Sequence, residues 1–276
     1  MRTISYIKTD PTKNLTLLIK DPIPVEEQLP LASLLIGKDH LDAEQAGFFM
    51  EPANPHADAR LRMMAGEFCG NATMSVGAVL AKKEHLPFGE TKTYQLEISG
   101  AAGFVGCQIT TEKDGWRGMV DMPLPEKVTE ETFLWQGKSM TLPVVYFDGI
   151  AHIIRQVAQV DDAMRAETED MAALWEASIA APAFGILLWQ KEKDMMDPFV
   201  VVKGGSRVWE SSCGSGTCAI GSFLAKEAGG KASVSLQEPG GELGAEAFWD
   251  GEKIQSLRLM GHVKILEEST YSFEES

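Results

Sequence analysis

The chain has 276 residues, of which 44% are hydrophobic and 24% charged, which excludes disorder, collagen-like repeats and a coiled coil. Such a length accommodates one large domain or two lobes of roughly 130 residues, either able to bury a core. Forty Asp and Glu against 25 Lys and Arg leave a net charge of −15, which repels phosphate backbones and anionic lipid and argues against nucleic-acid or membrane-surface partners.

In chain order, Met1-Arg2-Thr3-Ile4-Ser5-Tyr6 lacks the apolar stretch of a signal peptide. No later run approaches the ~18–20 apolar residues of a membrane span. With only four cysteines and no disulfide scaffold, a cytoplasmic protein is expected. β-Branched and aromatic enrichment between turn residues predicts strands over 15–19, 93–98, 104–109 and 118–122. Residues 123–140, with Pro123, Pro125 and a charged run, read as a crossover between lobes. Strands are predicted over 144–147, 153–157, 185–190, 199–203, 232–236 and 257–265, and an acidic surface helix over 162–178. The expected domains are 1–125, 126–262, and a segment 263–276 that returns to the first lobe beside the N-terminal strand.

The usual metal and nucleotide signals are missing. Cys69, Cys107, Cys213 and Cys218 form no C-x-x-C pair, no H-E-x-x-H occurs, and the five histidines are scattered. Gly229-Gly230-Lys231 lacks the rest of a P-loop, and Gly214-Ser215-Gly216 lacks the third Gly of a dinucleotide fingerprint.

The strongest feature is an internal repeat. Cys69-Gly70-Asn71-Ala72-Thr73-Met74-Ser75-Val76-Gly77-Ala78-Val79-Leu80-Ala81-Lys82 matches a second segment beginning at Cys213-Gly214-Ser215-Gly216-Thr217-Cys218, with seven of fourteen positions identical. The offset of 144 residues is just over half the chain, which suggests two similar lobes rather than a solenoid. Each copy reads as a loop feeding a helix, with Gly70 and Gly214 allowing a tight backbone after the cysteine. Small apolar residues on nearly every face mark a buried helix. Pro87 follows the first helix and Gly229-Gly230 the second.

Both copies put a cysteine before a helix N-terminus. There unpaired N–H groups and the helix dipole favour negative charge, which lowers a thiol pKa. The same N–H groups can receive a carboxylate. Two thiols flanking one carboxylate suit proton removal next to it, because backbone donors stabilise the charge that builds on its oxygens. One sulfur takes the α-proton while the other returns one to the opposite face. The expected cofactor is none. A single cysteine beside Gly is ordinarily packing, but retention of Cys-Gly in both copies singles out Cys69 and Cys213, while Cys107 and Cys218 read as core.

On these motifs the chain resembles the diaminopimelate epimerase-like family of cofactor-independent racemases. Cys69-Gly70-Asn71 is similar to that family's first cysteine motif, and Cys213-Gly214-Ser215-Gly216 to its second. The opening loop Lys8–Thr16 resembles the one whose Asn reaches the substrate, a role the resemblance gives to Asn14. Gly149-Ile150-Ala151-His152 resembles a Gly-Asn-Pro-His segment and puts His152 near the site. The implied α/β (α+β) fold has two pseudo-symmetric lobes, each a β-barrel-like sheet around a central helix, with the site between them. Gly70, Asn71, Gly214, Ser215 and Gly216 are the implied substrate-binding residues.

The family's asparagines and Glu-Arg pair, which hold the distal end of diaminopimelate, fall near Met63 or Met64, Ile150, Ala183 and Lys203-Gly204, and none matches. The wording Glu67-Phe68-Cys69-Gly70-Asn71 is closer to the histidine racemase branch. Glu210, and less so Glu67, is a candidate for the substrate ammonium; otherwise either is a loop charge near a helix start. The expected activity is therefore amino-acid racemisation by two cysteines, with histidine the leading substrate. Diaminopimelate epimerase, a proline racemase-like enzyme, and a thiol redox or sensor protein are the alternatives. The expected partner is a small-molecule amino acid, with a homodimer left open.

Overall fold

The N-terminal segment turns Ile4 and Tyr6 inward and forms β1 (Arg2–Pro11), which pairs antiparallel with β2 (Thr16–Ile19). Helix α1 (Val25–Leu35) and strands β3 (Gln45–Met50) and β4 (Ala59–Met63) follow. The repeat helix α2 (Gly70–Lys83) then leads to β5 (Thr91–Ile98), β6 (Phe104–Glu112) and β7 (Gly115–Asp121). The second half opens with β8 (Lys127–Trp135), β9 (Lys138–Phe147) and β10 (Ile150–Gln156). It continues with helix α3 (Asp162–Trp175), β11 (Ala183–Gln190), β12 (Met195–Val202) and the short β13 (Arg207–Trp209). The second repeat helix α4 (Gly214–Ala228) precedes β14 (Lys231–Glu238), β15 (Gly241–Trp249) and the long β16 (Ile254–Phe273). The computed structural model describes residues 1–274; it is a mixed α/β fold, mostly sheet with few helices.

Two units emerge, one of Met1–Asp121 with the chain from Met260 onward, the other Met122–Leu259. They share one pairing scheme. In the first, β1–β2 is antiparallel, β2–β3 parallel, β3–β4 antiparallel, β4–β5 parallel and β5–β6 antiparallel. In the second, β9–β10, β10–β11, β11–β12, β12–β14 and β14–β15 repeat those senses in that order. β1 gains a further antiparallel neighbour from β16, and β9 gains one from β8.

Helix α2 packs against β1, β2, β4, β5, β6 and β7, and α4 against β8, β9, β10, β14 and β15. Met74, Val76 and Val79 of α2 are buried, each contributing about 1.5–3 kcal/mol. The shared glycines of the repeat have a spatial cause. A Cβ on Gly77 would lie 2.7 Å from Ile109 and 2.8 Å from the Cys107 sulfur, and one on Gly221 would lie 2.9 Å from Ala245. Helix and sheet approach where the side chain is missing. As anticipated, α4 stops at Gly229, which is left-handed with φ 63°.

One expectation needs correction. Residues 123–140 are not merely a crossover: β8 and the start of β9 form a hairpin there, Trp135 opposite Lys138. Gln136 and Gly137, both with positive φ, make its tight turn, and Val128 and Phe133 are the inward residues hidden within the charged run. Helix α1 continues through Pro30 and buries Leu31, Ala32 and Leu35, apolar burial outweighing one lost hydrogen bond.

Candidate active site

Each repeat cysteine is the N-cap of its helix, in extended backbone that turns helical at the next residue. Neither Gly70 nor Gly214 has positive φ, so the tight-backbone reading of these glycines is wrong. Space is the requirement at Gly214, where a Cβ would lie 2.7 Å from Leu259, and at Gly216, where one would lie 2.9 Å from Leu187. Thr73 ties its turn by donating its hydroxyl to the Cys69 carbonyl at 2.7 Å, and the Thr217 hydroxyl lies 3.1 Å from the Cys213 carbonyl. The first-turn N–H groups of both helices have no intrahelical acceptor by construction of the α-helix.

In the first unit, the surroundings of Cys69 are amides. Its thiol donates to Gln45 Oε1 at 3.2 Å and accepts the Ala72 N–H at 3.4 Å. Gln45 Nε2 donates to Asn14 Oδ1 at 2.6 Å and Thr16 Oγ1 at 2.8 Å, while Asn71 Nδ2 donates to Asn14 Oδ1 at 3.2 Å. Asn14, Gln45, Asn71 and Cys69 thus form one network. Asn71 Oδ1 is buried without a partner, which is costly unless something supplies a donor. Glu67 lies outside it and accepts the Ala65 N–H at 2.9 Å, closing its own turn.

In the second unit, Cys213 is surrounded by ionisable groups. His152 Nε2 is 2.8 Å from Ser215 Oγ, which in turn is 3.6 Å from the Cys213 sulfur. His152 is fully buried, and burial lowers its pKa to about 3, so the imidazole is neutral. Glu210 accepts a hydrogen bond from the Cys213 thiol. Glu238 Oε2 accepts the Cys213 N–H at 2.6 Å, and Glu238 Oε1 accepts the Thr217 hydroxyl at 2.5 Å.

In the protein alone, burial outweighs the helix start at both cysteines. Burial pushes Cys69 up, outweighing the Ala72 N–H and Gln45 that pull it down. Burial, then the charges of Glu210 and Glu238, push Cys213 well up, with Ser215 as the opposing bond. Both rest as thiols. Cys107 and Cys218 are buried, and burial raises both strongly. All four cysteines are free.

The residues expected near the distal end of the substrate have the following surroundings. Met63 is fully buried on β4, and Met64 packs on the core built by β1, β2 and α1. Ile150 and Ala183 are direct partners across β10 and β11. Lys203 donates to the Ile179 carbonyl at 2.5 Å, so it is committed to the main chain. Among the described residues no cluster of His, Cys, Asp and Glu could hold a metal, and no helix is long and apolar enough to cross a membrane.

Sequence reasoning missed Gln45 and Glu238. Gln45 carries no local signal, since only the parallel pairing of β2 and β3 sets it opposite Thr16. Glu238 had one: alternation places it on the face of Val234 and Leu236, where a carboxyl is out of place.

Comparison with known proteins adds the following. Residues 3–271 match a family described as the histidine racemase CntK N-terminal domain. A histidine racemase from Fusobacterium nucleatum is 31% identical over 82% of this chain and 83% of its own, and one from Staphylococcus aureus is 28% identical over 80% of each. Among solved structures, a probable proline racemase from Agrobacterium radiobacter superposes with a TM-score of 0.74 at 13% identity, covering 98% of this chain and 93% of its own. A hydroxyproline epimerase from Agrobacterium vitis does so with 0.71 at 12% identity, covering 98% and 92%. At those identities the likeness concerns the fold.

Proposed function

The chain belongs to the histidine racemase CntK family and is an amino-acid racemase, and from that premise we propose that it racemises histidine with Cys69 and Cys213 as its two acid/base groups. The observation that carries this is the duplicated Cys-Gly step, which makes a cysteine the N-cap of the corresponding helix in each of two units with one pairing scheme. We read those units as duplicated lobes, each a barrel-like sheet about a central helix.

In this mechanism the substrate carboxylate binds first-turn N–H groups of the helices, which stabilise its oxygens as the α-carbon loses its proton. One sulfur, as thiolate, takes the α-proton from one face of the carbon. The other, as thiol, gives a proton to the opposite face, and the configuration inverts with no net oxidation. Asn14 and Asn71 present amide groups beside Cys69, with the open acceptor Asn71 Oδ1 suited to an ammonium. Ser215 links Cys213 to neutral His152, and Glu210 bears on the same thiol. The relatives' name, histidine racemase, supports the substrate. Four free thiols suit a reducing compartment, which supports a cytosolic enzyme.

Incubation with each L-amino acid in D₂O tests the reading. Histidine should gain α-deuterium and lose optical rotation fastest. Exchange of no amino acid under reducing conditions would sink the proposal.

A further inference from the structure

Glu238 is 2% exposed, and nothing in the mechanism above uses it. The two units provide an internal control. β5 and β14 are eight-residue strands following the repeat helices, and their buried positions run Tyr94, Leu96, Ile98 and Val234, Leu236, Glu238. A carboxyl therefore occupies the position that isoleucine fills in the sister unit. Burying it is costly, and packing does not require it, since Ile98 serves there.

What Glu238 holds is specific. Its two oxygens receive the Cys213 N–H at 2.6 Å and the Thr217 hydroxyl at 2.5 Å, which clasps the residue before α4 and the first turn of that helix. The other groups facing it are acidic or neutral. Glu210 lies beyond β13 and Asp197 lies on β12, both acting on it through charge, with Asp197 itself paired to Arg165 of α3 at 2.6 Å. Cys213 and Cys218 belong to the start and interior of α4, and His152 of β10 is neutral and reaches Cys213 through Ser215. Cys69, in contrast, has Gln45 on its sulfur.

We propose that Glu238 is a positioning residue that makes the two thiols unequal acids: it clamps Cys213 and opposes negative charge on its sulfur, so that Cys69 ionises first and Cys213 rests protonated. Burial raises the Glu238 carboxyl to about 8, so it becomes charged across the alkaline range in which thiols titrate. Carboxyl and thiol then compete for one negative charge, and the carboxyl wins. The inference rests on the two-cysteine reading only for its consequence in the reaction. There the ligand-free enzyme favours the enantiomer whose α-proton faces Cys69.

The test is pH-dependent alkylation of the wild-type protein by iodoacetamide, resolved for each cysteine by peptide mass spectrometry. The Cys213 midpoint should lie above that of Cys69. Glu238→Gln, which keeps shape but not charge, should lower the Cys213 midpoint by about one pH unit, a roughly tenfold gain in thiolate at fixed pH, and leave Cys69 in place. Glu238→Ile, copying the sister strand, should move it the same way if the Gln variant does not fold. A merely structural Glu238 would leave the midpoint where it is. Coincident midpoints in the wild-type protein, or an unmoved Cys213 in either folded variant, overturn the proposal. Failure of the wild-type enzyme to racemise any amino acid would overturn the racemase reading instead and leave these midpoints as measured.

Discussion

A Cβ added at Gly185 would lie 2.5 Å from Nδ1 of His152, so the β11 backbone is pressed against the imidazole at the point where the two residues pair across β10 and β11. The ring is confined there, and its other nitrogen is aimed at Ser215. Gly185→Ala must displace either the ring or the strand. We expect a loss of about 1–3 kcal/mol of stability from overpacking and a roughly 10–100-fold fall in kcat from misalignment beside Cys213. Thermal unfolding and steady-state kinetics check both, and unchanged kcat would show that the His152–Ser215 contact is incidental.

Cys69→Ser and Cys213→Ser should each depress racemisation by roughly 10²–10⁴-fold, because a hydroxyl cannot take the place of a thiol as acid and base. Folding should survive, since the Thr73 tie and the Thr217 contact at the helix starts use main-chain carbonyls. Circular dichroism with a chiral assay reads the two effects separately. A serine variant at the parent rate would remove that cysteine from the mechanism.

His152 gives the protein an acid-side weakness. Its pKa is lowered from 6.5 to about 3 in the folded state, so the unfolded chain binds a proton that the native one refuses. Its contribution is fully present above pH 6.5 and is lost as pH falls towards about 3, at up to about 1.4 kcal/mol per pH unit. Denaturant unfolding of wild type and His152→Asn should show the wild-type advantage shrinking over that window. A constant difference would mean that the buried imidazole does protonate.

Selectivity should favour a substrate with one charged amino-acid end. Where a second such end would need partners, the chain offers Ile150, Ala183 and a Lys203 already bonded to Ile179. Leaving that end unpaired is costly and can discriminate by several powers of ten. We expect kcat/KM for L-histidine to exceed that for meso- or LL-diaminopimelate by such a margin, and the reverse preference would refute the assignment of these positions.

The sequence by itself determined what is local or duplicated. Two copies of Cys-Gly-x-x-Thr, each before a run of small apolar residues, were enough to locate two buried helices and their cysteine caps, because helix starts and buried faces are written in adjacent residues. The same repeat contains Asn71 and Ser215, whereas Asn14 and His152 were reached only through the resemblance of their own segments to a known family. Only the tertiary structure decided which groups bear on each sulfur. Gln45 reaches Cys69 through a parallel strand pairing, and Glu238 reaches Cys213 from a strand 25 residues away in sequence. The acidity of the thiols was likewise beyond the sequence. A helix N-terminus is a local feature that favours thiolate, whereas desolvation and neighbouring carboxylates depend on everything packed around the site, and for both cysteines these outweigh it.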